Sequence, residues 1–279
     1  MTIQWFPGHM VETENLLKKA MSRVDVVLEI LDARLPRASA NPFVNKICKD
    51  KFRLKVLNKS DLADPDQTTS WLHYFEMQKN TPAIAICGSQ KSQVDGALNY
   101  CMARINRNRA RKVKIMVVGI PNTGKSTVLN TLAGKKIAKT GNVPAITRHQ
   151  QRTSLENNID IYDTPGILWP VMESERKAHI LAASGAISDT AIDYTDIGFF
   201  AATLLLKRYP EQLMQRYPFL ETIPTDELML IEKIGSAKGC LKKGGIIHYQ
   251  KASEALIRDL RAGKIGRISF ETPEDSDHE

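Results

Sequence analysis

The chain has 279 residues, with 39 Lys and Arg against 31 Asp and Glu, a formal net charge of +8. Its length favours two domains, and 42% apolar with 25% charged residues is ordinary globular composition that excludes wholesale disorder. No apolar run approaches the ~20 residues of a membrane span, no secretory signal is expected at the start, and four scattered cysteines with no Cys-x-x-Cys pair exclude a zinc ribbon or disulfide framework and suit a reducing cytosol.

In chain order, apolar spacing at Leu17, Ala20, Met21 and Val24 predicts an amphipathic helix over residues 11–23. Residues 24–31 read as a largely buried strand ending in the turn-like Asp32-Ala-Arg-Leu-Pro36. Residues 54–57 form a short strand running into Asn58, 68–78 a helix, 83–86 a strand and 93–106 a helix. Residues 114–118 are a strand running into Gly119, and 127–132 begin the next helix. Residues 151–155 and 159–162 pair as a hairpin. Strands alternating with helices predict an α/β sheet covered on both faces. Beyond Trp169-Pro170, helices dominate, over residues 175–183, 195–209, 225–234 and 252–262. The expected domains are 1–169, an α/β unit; 170–270, a helical unit; and 271–279, an acidic disordered tail.

The charge is uneven. Residues 1–169 hold 25 basic and 14 acidic groups, whereas 170–279 hold 14 and 17. Residues 233–267 carry nine basic and two acidic groups, and residues 104–114 carry six cations and no acid. Either stretch alone fits a solvated helix face. Two of them point to an RNA or DNA phosphate surface.

Gly119-Ile-Pro-Asn-Thr-Gly124-Lys125-Ser126 matches G-x-x-x-x-G-K-[ST] between a strand and a helix. Backbone N–H groups around Asn122, Thr123, Gly124 and the first helical residues, through Thr127, would face phosphate oxygens at the positive helix end. Lys125 would reach the β- and γ-phosphates and the Ser126 hydroxyl would ligate Mg²⁺. Asn58-Lys59-Ser60-Asp61 is the guanine-reading N-K-x-D pattern. The Asp61 carboxylate can accept from both N1–H and the N2 amino group of guanine. Adenine offers neither donor, so the carboxylate would be left unpaired. Asp163-Thr-Pro-Gly166 supplies D-x-x-G, with Asp163 on the Mg²⁺ side and the Gly166 N–H sensing the γ-phosphate. Thr147 is the candidate switch threonine on Mg²⁺, or else a structural threonine. Cys87-Gly88 follows a strand and is a candidate to back the guanine base.

N-K-x-D precedes the phosphate loop here, the reverse of the usual order, so the sheet is entered at a different strand. With Trp5-Phe-Pro-Gly-His-Met10, Asp32-Ala-Arg34 and Asp163-Thr-Pro-Gly-Ile-Leu-Trp-Pro170 alongside the motifs above, the sequence resembles the circularly permuted GTPases, and among them those of ribosome biogenesis. The resemblance covers all but the acidic end. It implies a permuted P-loop GTPase domain followed by a smaller all-α domain that contacts rRNA. It also implies GTP hydrolysis that is slow alone and stimulated by the ribosomal particle, in late maturation of the large (50S) subunit. The partners would be a large-subunit precursor and its rRNA, with no DNA or membrane partner, in the cytoplasm. D-x-x-G would end the GTPase domain, so movement at Gly166 is expected to re-orient the helices that follow.

Ile167 stands where a Ras-type GTPase carries its water-positioning Gln. His9 can orient or deprotonate water near neutral pH. The residues alone favour a cap on the helix over 11–23 or packing in a loop, and the resemblance points instead to catalysis. Asn122 occupies the place of an Asn that helps bind K⁺ in potassium-stimulated GTPases, and it also fits a loop-stabilising role. The sequence departs from the family at Pro144-Ala-Ile-Thr147-Arg148, which lacks the usual Gly and second Thr, and at Cys87-Gly88, which lacks the usual Ser-Ala pattern. An alternative function is a nucleotide-gated RNA-binding switch on another ribonucleoprotein, with hydrolysis only as reset. A membrane- or protein-directed switch is disfavoured by the lack of a lipidation motif.

Overall fold

The computed structural model describes residues 21–48, 51–78, 81–105, 112–138, 151–155, 158–163 and 174–275. Strand β1 (Val26–Asp32) is buried at every position, the mark of a parallel strand covered on both faces. It pairs in parallel with β2 (Phe52–Asn58), which sets Asp32 beside Asn58, and with β4 (Val113–Val118). β3 (Ala83–Ile86) extends the sheet beyond β2. On the other side β6 (Ile159–Asp163) joins β4 in parallel, and β5 (Gln151–Leu155) closes that edge antiparallel to β6, as the hairpin reading expects. The order is β3-β2-β1-β4-β6-β5. The chain first builds outward from β1 and then returns to start again at β4. Ligand crevices in open α/β sheets form at such a reversal, beyond the carboxyl ends of the strands.

Among the described residues, the helices of this unit are α1 (Pro42–Ile47), α2 (Pro65–Met77), α3 (Lys91–Arg104) and α4 (Lys125–Ala133). α1 escapes a periodicity reading because it is only six residues long, but Asn41 caps it by accepting from Phe43 N, ahead of Pro42. α2 starts earlier than its apolar spacing implies because the Asp64 carboxylate accepts from Asp66 N at 2.9 Å and Gln67 N at 3.2 Å. The helical unit comprises α5 (Glu175–Ser184), α6 (Tyr194–Arg208), α7 (Pro210–Arg216), α8 (Glu227–Ala237) and α9 (Tyr249–Arg261). α6 and α9 approach so closely that a Cβ on Gly198 would lie 2.3 Å from the Ser253 Cβ. Among the described residues, no helix is long and apolar enough to cross a membrane.

The helical cluster takes in Leu35, Ala38 and Ile120 from the α/β unit. One expectation about domains needs correction. The acidic end is not a free tail from Glu271 onward. Glu271 is 4% exposed, and its carboxylate accepts from the backbone N–H groups of Arg37 and Ala38. Asp275 pairs with Arg208 at 2.7 Å and Arg176 at 3.0 Å. Composition averages over such residues and cannot see specific partners. The basic stretch over 233–267 is also partly structural. Lys238 and Arg216 converge on Asp259, and Arg261 donates to the carbonyls of Ala182 and Ala183. Lys242, Lys243 and Lys251 remain exposed.

Candidate functional site

The carboxyl edge at β1, β2 and β4 collects the sequence motifs. Asn58, at the end of β2 and 2% exposed, donates through Nδ2 to Thr123 O at 2.7 Å and accepts through Oδ1 from Gly88 N at 2.8 Å. One amide thus ties N-K-x-D to the phosphate loop and to the Cys87-Gly88 loop. The close approach requires glycine on both sides. A Cβ on Gly88 would sit 2.6 Å from Asn58 Oδ1, and one on Gly124 would sit 2.2 Å from Asn58 Nδ2. Gln93 and Thr131 brace the Cys87-Gly88 loop from outside, by accepting from Cys87 N at 2.6 Å and donating to Gly88 O at 2.7 Å.

Lys59 adopts a left-handed backbone, φ 62°, which turns its side chain back across the crevice. Its Nζ donates to Asp32 Oδ2 at 2.8 Å and to Asn122 O at 2.5 Å. Arg34 grips the same carboxylate through Nε at 2.9 Å and Nη2 at 2.8 Å. Burial alone would push the Asp32 carboxyl up, but the flanking Arg34 and Lys59 hold it well below the usual carboxylate range. Asp32 therefore stays ionised and pins Lys59 against the phosphate loop. Asp61 is exposed just beyond Lys59, and its charge reaches both Lys59 and Arg34.

Gly119, φ 154°, lets the phosphate loop pass 2.4 Å from Ile30 O, measured to where a Cβ would stand. The loop ends at Gly124, φ 89°, the N-cap of α4, which offers no side-chain cap to the first N–H groups of that helix. Those donors remain for an anion. Thr123 is buried, and its hydroxyl donates inward to Ile120 O at 3.1 Å. Lys125 is 8% exposed and also donates to Ile120 O, at 2.7 Å. Burial pushes its ammonium down to about 8, opposed by Asp163, which ends β6 at 5% exposure. Ser126 and Thr127 are half-buried in the first turn of α4. His9, Thr147 and Gly166 lie outside the described residues.

Contacts from the helical unit reach this edge and carry no sequence motif. Asn122 Nδ2 donates to Gly185 O at 2.5 Å, the left-handed cap residue of α5. Arg267 donates through Nε to Ala63 O at 2.8 Å and through Nη2 to Ser60 O at 3.0 Å. Ile268 N donates to Leu62 O at 3.0 Å and Phe270 N to Arg34 O at 2.8 Å. The cap glycine Gly185 is a local signal of a helix end; nothing local marks Arg267.

A phosphate loop that leaves the middle strand of this sheet, with N-K-x-D two strands earlier in the chain, defines a circularly permuted P-loop GTPase. Residues 114–215 match the protein family described as "50S ribosome-binding GTPase". That match opens at β4 and leaves Asn58–Asp61 outside, as the permuted order requires. Ribosome biogenesis GTPase A from Priestia megaterium is 42% identical over 99% of both chains, and its namesake from Thermotoga maritima is 31% identical over 98% of this chain and 95% of its own. The crystal structure of GNP-bound YlqF from T. maritima superposes with a TM-score of 0.70, at 29% identity over 95% of this chain and 100% of that one. The chain belongs to the ribosome biogenesis GTPase A family, and it is a GTPase.

Proposed function

We propose that the chain binds GTP and GDP at the β1–β2–β4 edge and hydrolyses GTP as a factor in late maturation of the large ribosomal subunit, docked on its rRNA. The observation that carries the nucleotide assignment is the Asn58 amide, which joins the base-reading loop, the phosphate loop and the Cys87-Gly88 loop into one frame. In that frame Asp61 accepts the guanine N1–H and N2–H donors, and Lys59 lies along the phosphate loop. Cys87 and Gly88 back the base. The N–H groups from Asn122 to Thr127, with Lys125, receive the phosphates.

Ser126 and Asp163 present hard oxygen donors, the kind Mg²⁺ prefers, so they fit the ion, with Thr147 as the switch ligand. When bound, Mg²⁺ supplies positive charge to the β- and γ-phosphate oxygens. Lys125 swings its ammonium from Ile120 O to the phosphates, whose charge keeps it protonated. Asn122, whose amide nitrogen donates to Gly185 O, stands in the phosphate loop at the place of the K⁺-binding Asn and is proposed as a K⁺ ligand. Gly166 reports γ-phosphate loss, and His9 orients the attacking water that Ile167 cannot.

The ribosomal part of the reading rests on the family's name, the matched family's description and the exposed lysines of the helical unit. It is tested by sedimentation with ribosomal particles in a non-hydrolysable GTP analogue. Co-sedimentation with a large-subunit precursor, and faster single-turnover hydrolysis on it, is the expected result. Association with small subunits alone would overturn it. His9→Ala should abolish the stimulated rate and leave nucleotide binding intact, and hydrolysis should be faster in KCl than in NaCl.

A further inference from the structure

The base-reading loop is a short turn with few internal bonds. Ser60 N donates to Ile86 O at 3.1 Å and Leu62 N to Lys59 O at 2.9 Å. Its outward carbonyls would otherwise face water. Instead, Ser60 O and Ala63 O accept from the two arms of one guanidinium, Arg267, and Leu62 O accepts from Ile268 N. All three donor groups belong to the segment that leaves α9. That segment turns at Gly263, φ 68°, against the loop itself, since a Cβ there would come within 2.7 Å of Leu62 Cδ2. The carbonyls gripped by Arg267 lie on either side of Asp61 in the chain. We propose that Arg267 is a positioning residue for guanine recognition: by spanning Ser60 O and Ala63 O it sets the direction of the Asp61 carboxylate, so the helical unit helps determine base selectivity.

The inference rests on the assignment of Asp61 as the base reader and deepens it. In this role Arg267 acts through the Ser60 and Ala63 carbonyls and not as a ligand of the base. Its planar fork holds two carbonyls in a fixed relation, which a lysine, with a single ammonium, cannot reproduce. Misaiming Asp61 should weaken the bond to the guanine N2 amino group most, because a carboxylate can keep N1–H alone with a tilted approach. Inosine diphosphate has the same ring and phosphates and lacks only that amino group. The ratio of GDP to IDP affinity therefore reads the orientation of Asp61 separately from general stability.

The experiment measures GDP and IDP affinities of the full-length chain for wild type, Arg267→Ala, Arg267→Lys and Asp61→Ala. Wild type should prefer GDP by about tenfold or more, the worth of one hydrogen bond to a charged acceptor. Arg267→Ala should lose most of that preference through GDP, with IDP affinity changed little, and Arg267→Lys should fall between. Arg267 is exposed, so the fold should survive the change. Should folding fail for the alanine variant, the lysine variant reads the same ratio. An unchanged ratio in Arg267 variants, or equal weakening of GDP and IDP, would overturn the positioning role while leaving Asp61 as base reader. A wild type that binds IDP as tightly as GDP, with no effect of Asp61→Ala on the ratio, would overturn the base assignment and the inference with it.

Discussion

The largest apolar cluster of the α/β unit and that of the helical unit differ in where their side chains originate. The sheet cluster, around Val26, Leu28, Ile30, Ile115 and Val117, takes its described members from the α/β unit alone. The helical cluster around Leu205, Ile231 and Leu256 also takes in Leu35 and Ala38, just after β1, and Ile120, just after β4. Those three residues sit in loops at the nucleotide edge. The sheet therefore closes its interior without the helices, whereas the helices close theirs only on the loops that would hold nucleotide. Close-packed interiors do not deform smoothly, so a shift of Ile120 or Leu35 is felt as repacking of the helical unit. On the proposed binding mode this packing would give nucleotide state a route to the helices.

That asymmetry can be broken or sharpened by substitution. Ile115→Ala, inside the sheet, should cost about 3 kcal/mol and lower the thermal unfolding of both units together. Gly198→Val should cost about 2 kcal/mol by overpacking, and calorimetry should place the loss in the helical unit, with the sheet transition retained and GDP binding weakened. A single merged transition would contradict the asymmetry. Glu271 tests the seam between the units. Burial, against the backbone N–H groups of Ala38 and Arg37 and the charges of Arg37 and Lys177, pushes its carboxyl up from 4.5 to about 7. The folded state therefore holds a proton that the unfolded state has released. Stability falls as pH rises from about 4.5 to 7 and levels off above that. Glu271→Gln should flatten that slope, a difference of about 3 kcal/mol across the window in denaturant titrations at fixed pH values. The smallest effect belongs to the outer surface. Lys242→Ala with Lys243→Ala should leave stability alone and reduce the salt dependence of RNA binding by about one ion per lost phosphate contact.

Much of the sheet was legible because its strands are short, apolar and punctuated. Val113–Val118 runs straight into Gly119, and Phe52–Asn58 into Lys59. The hairpin of β5 and β6 follows from the polar break between two apolar runs. The motifs that meet at the β1–β2–β4 edge were legible for the same reason, as local spacing carries them. Asn58 was named as a motif residue, but its role as a bridge between loops depends on Thr123, 65 positions away. Arg267 was read as one cation in a basic stretch, and Glu271 as the first residue of a tail. Both errors have one cause, because an ion-rich segment looks solvent-bound until its partners, here backbone groups some 200 residues distant, are in view. Asp32 and Arg34 were noticed as a pattern, yet only burial shows why an Asp there stays charged and anchors Lys59.

The bond from Ile268 N to Leu62 O joins residues about three quarters of the chain apart. During synthesis the base-reading loop emerges before the phosphate loop, and the segment that braces the former only after both. A growing chain thus exposes a specificity loop long before it can be held in place. On the proposed role of Arg267, full guanine selectivity would be acquired only once the helical unit has been made and has packed on the sheet's edge.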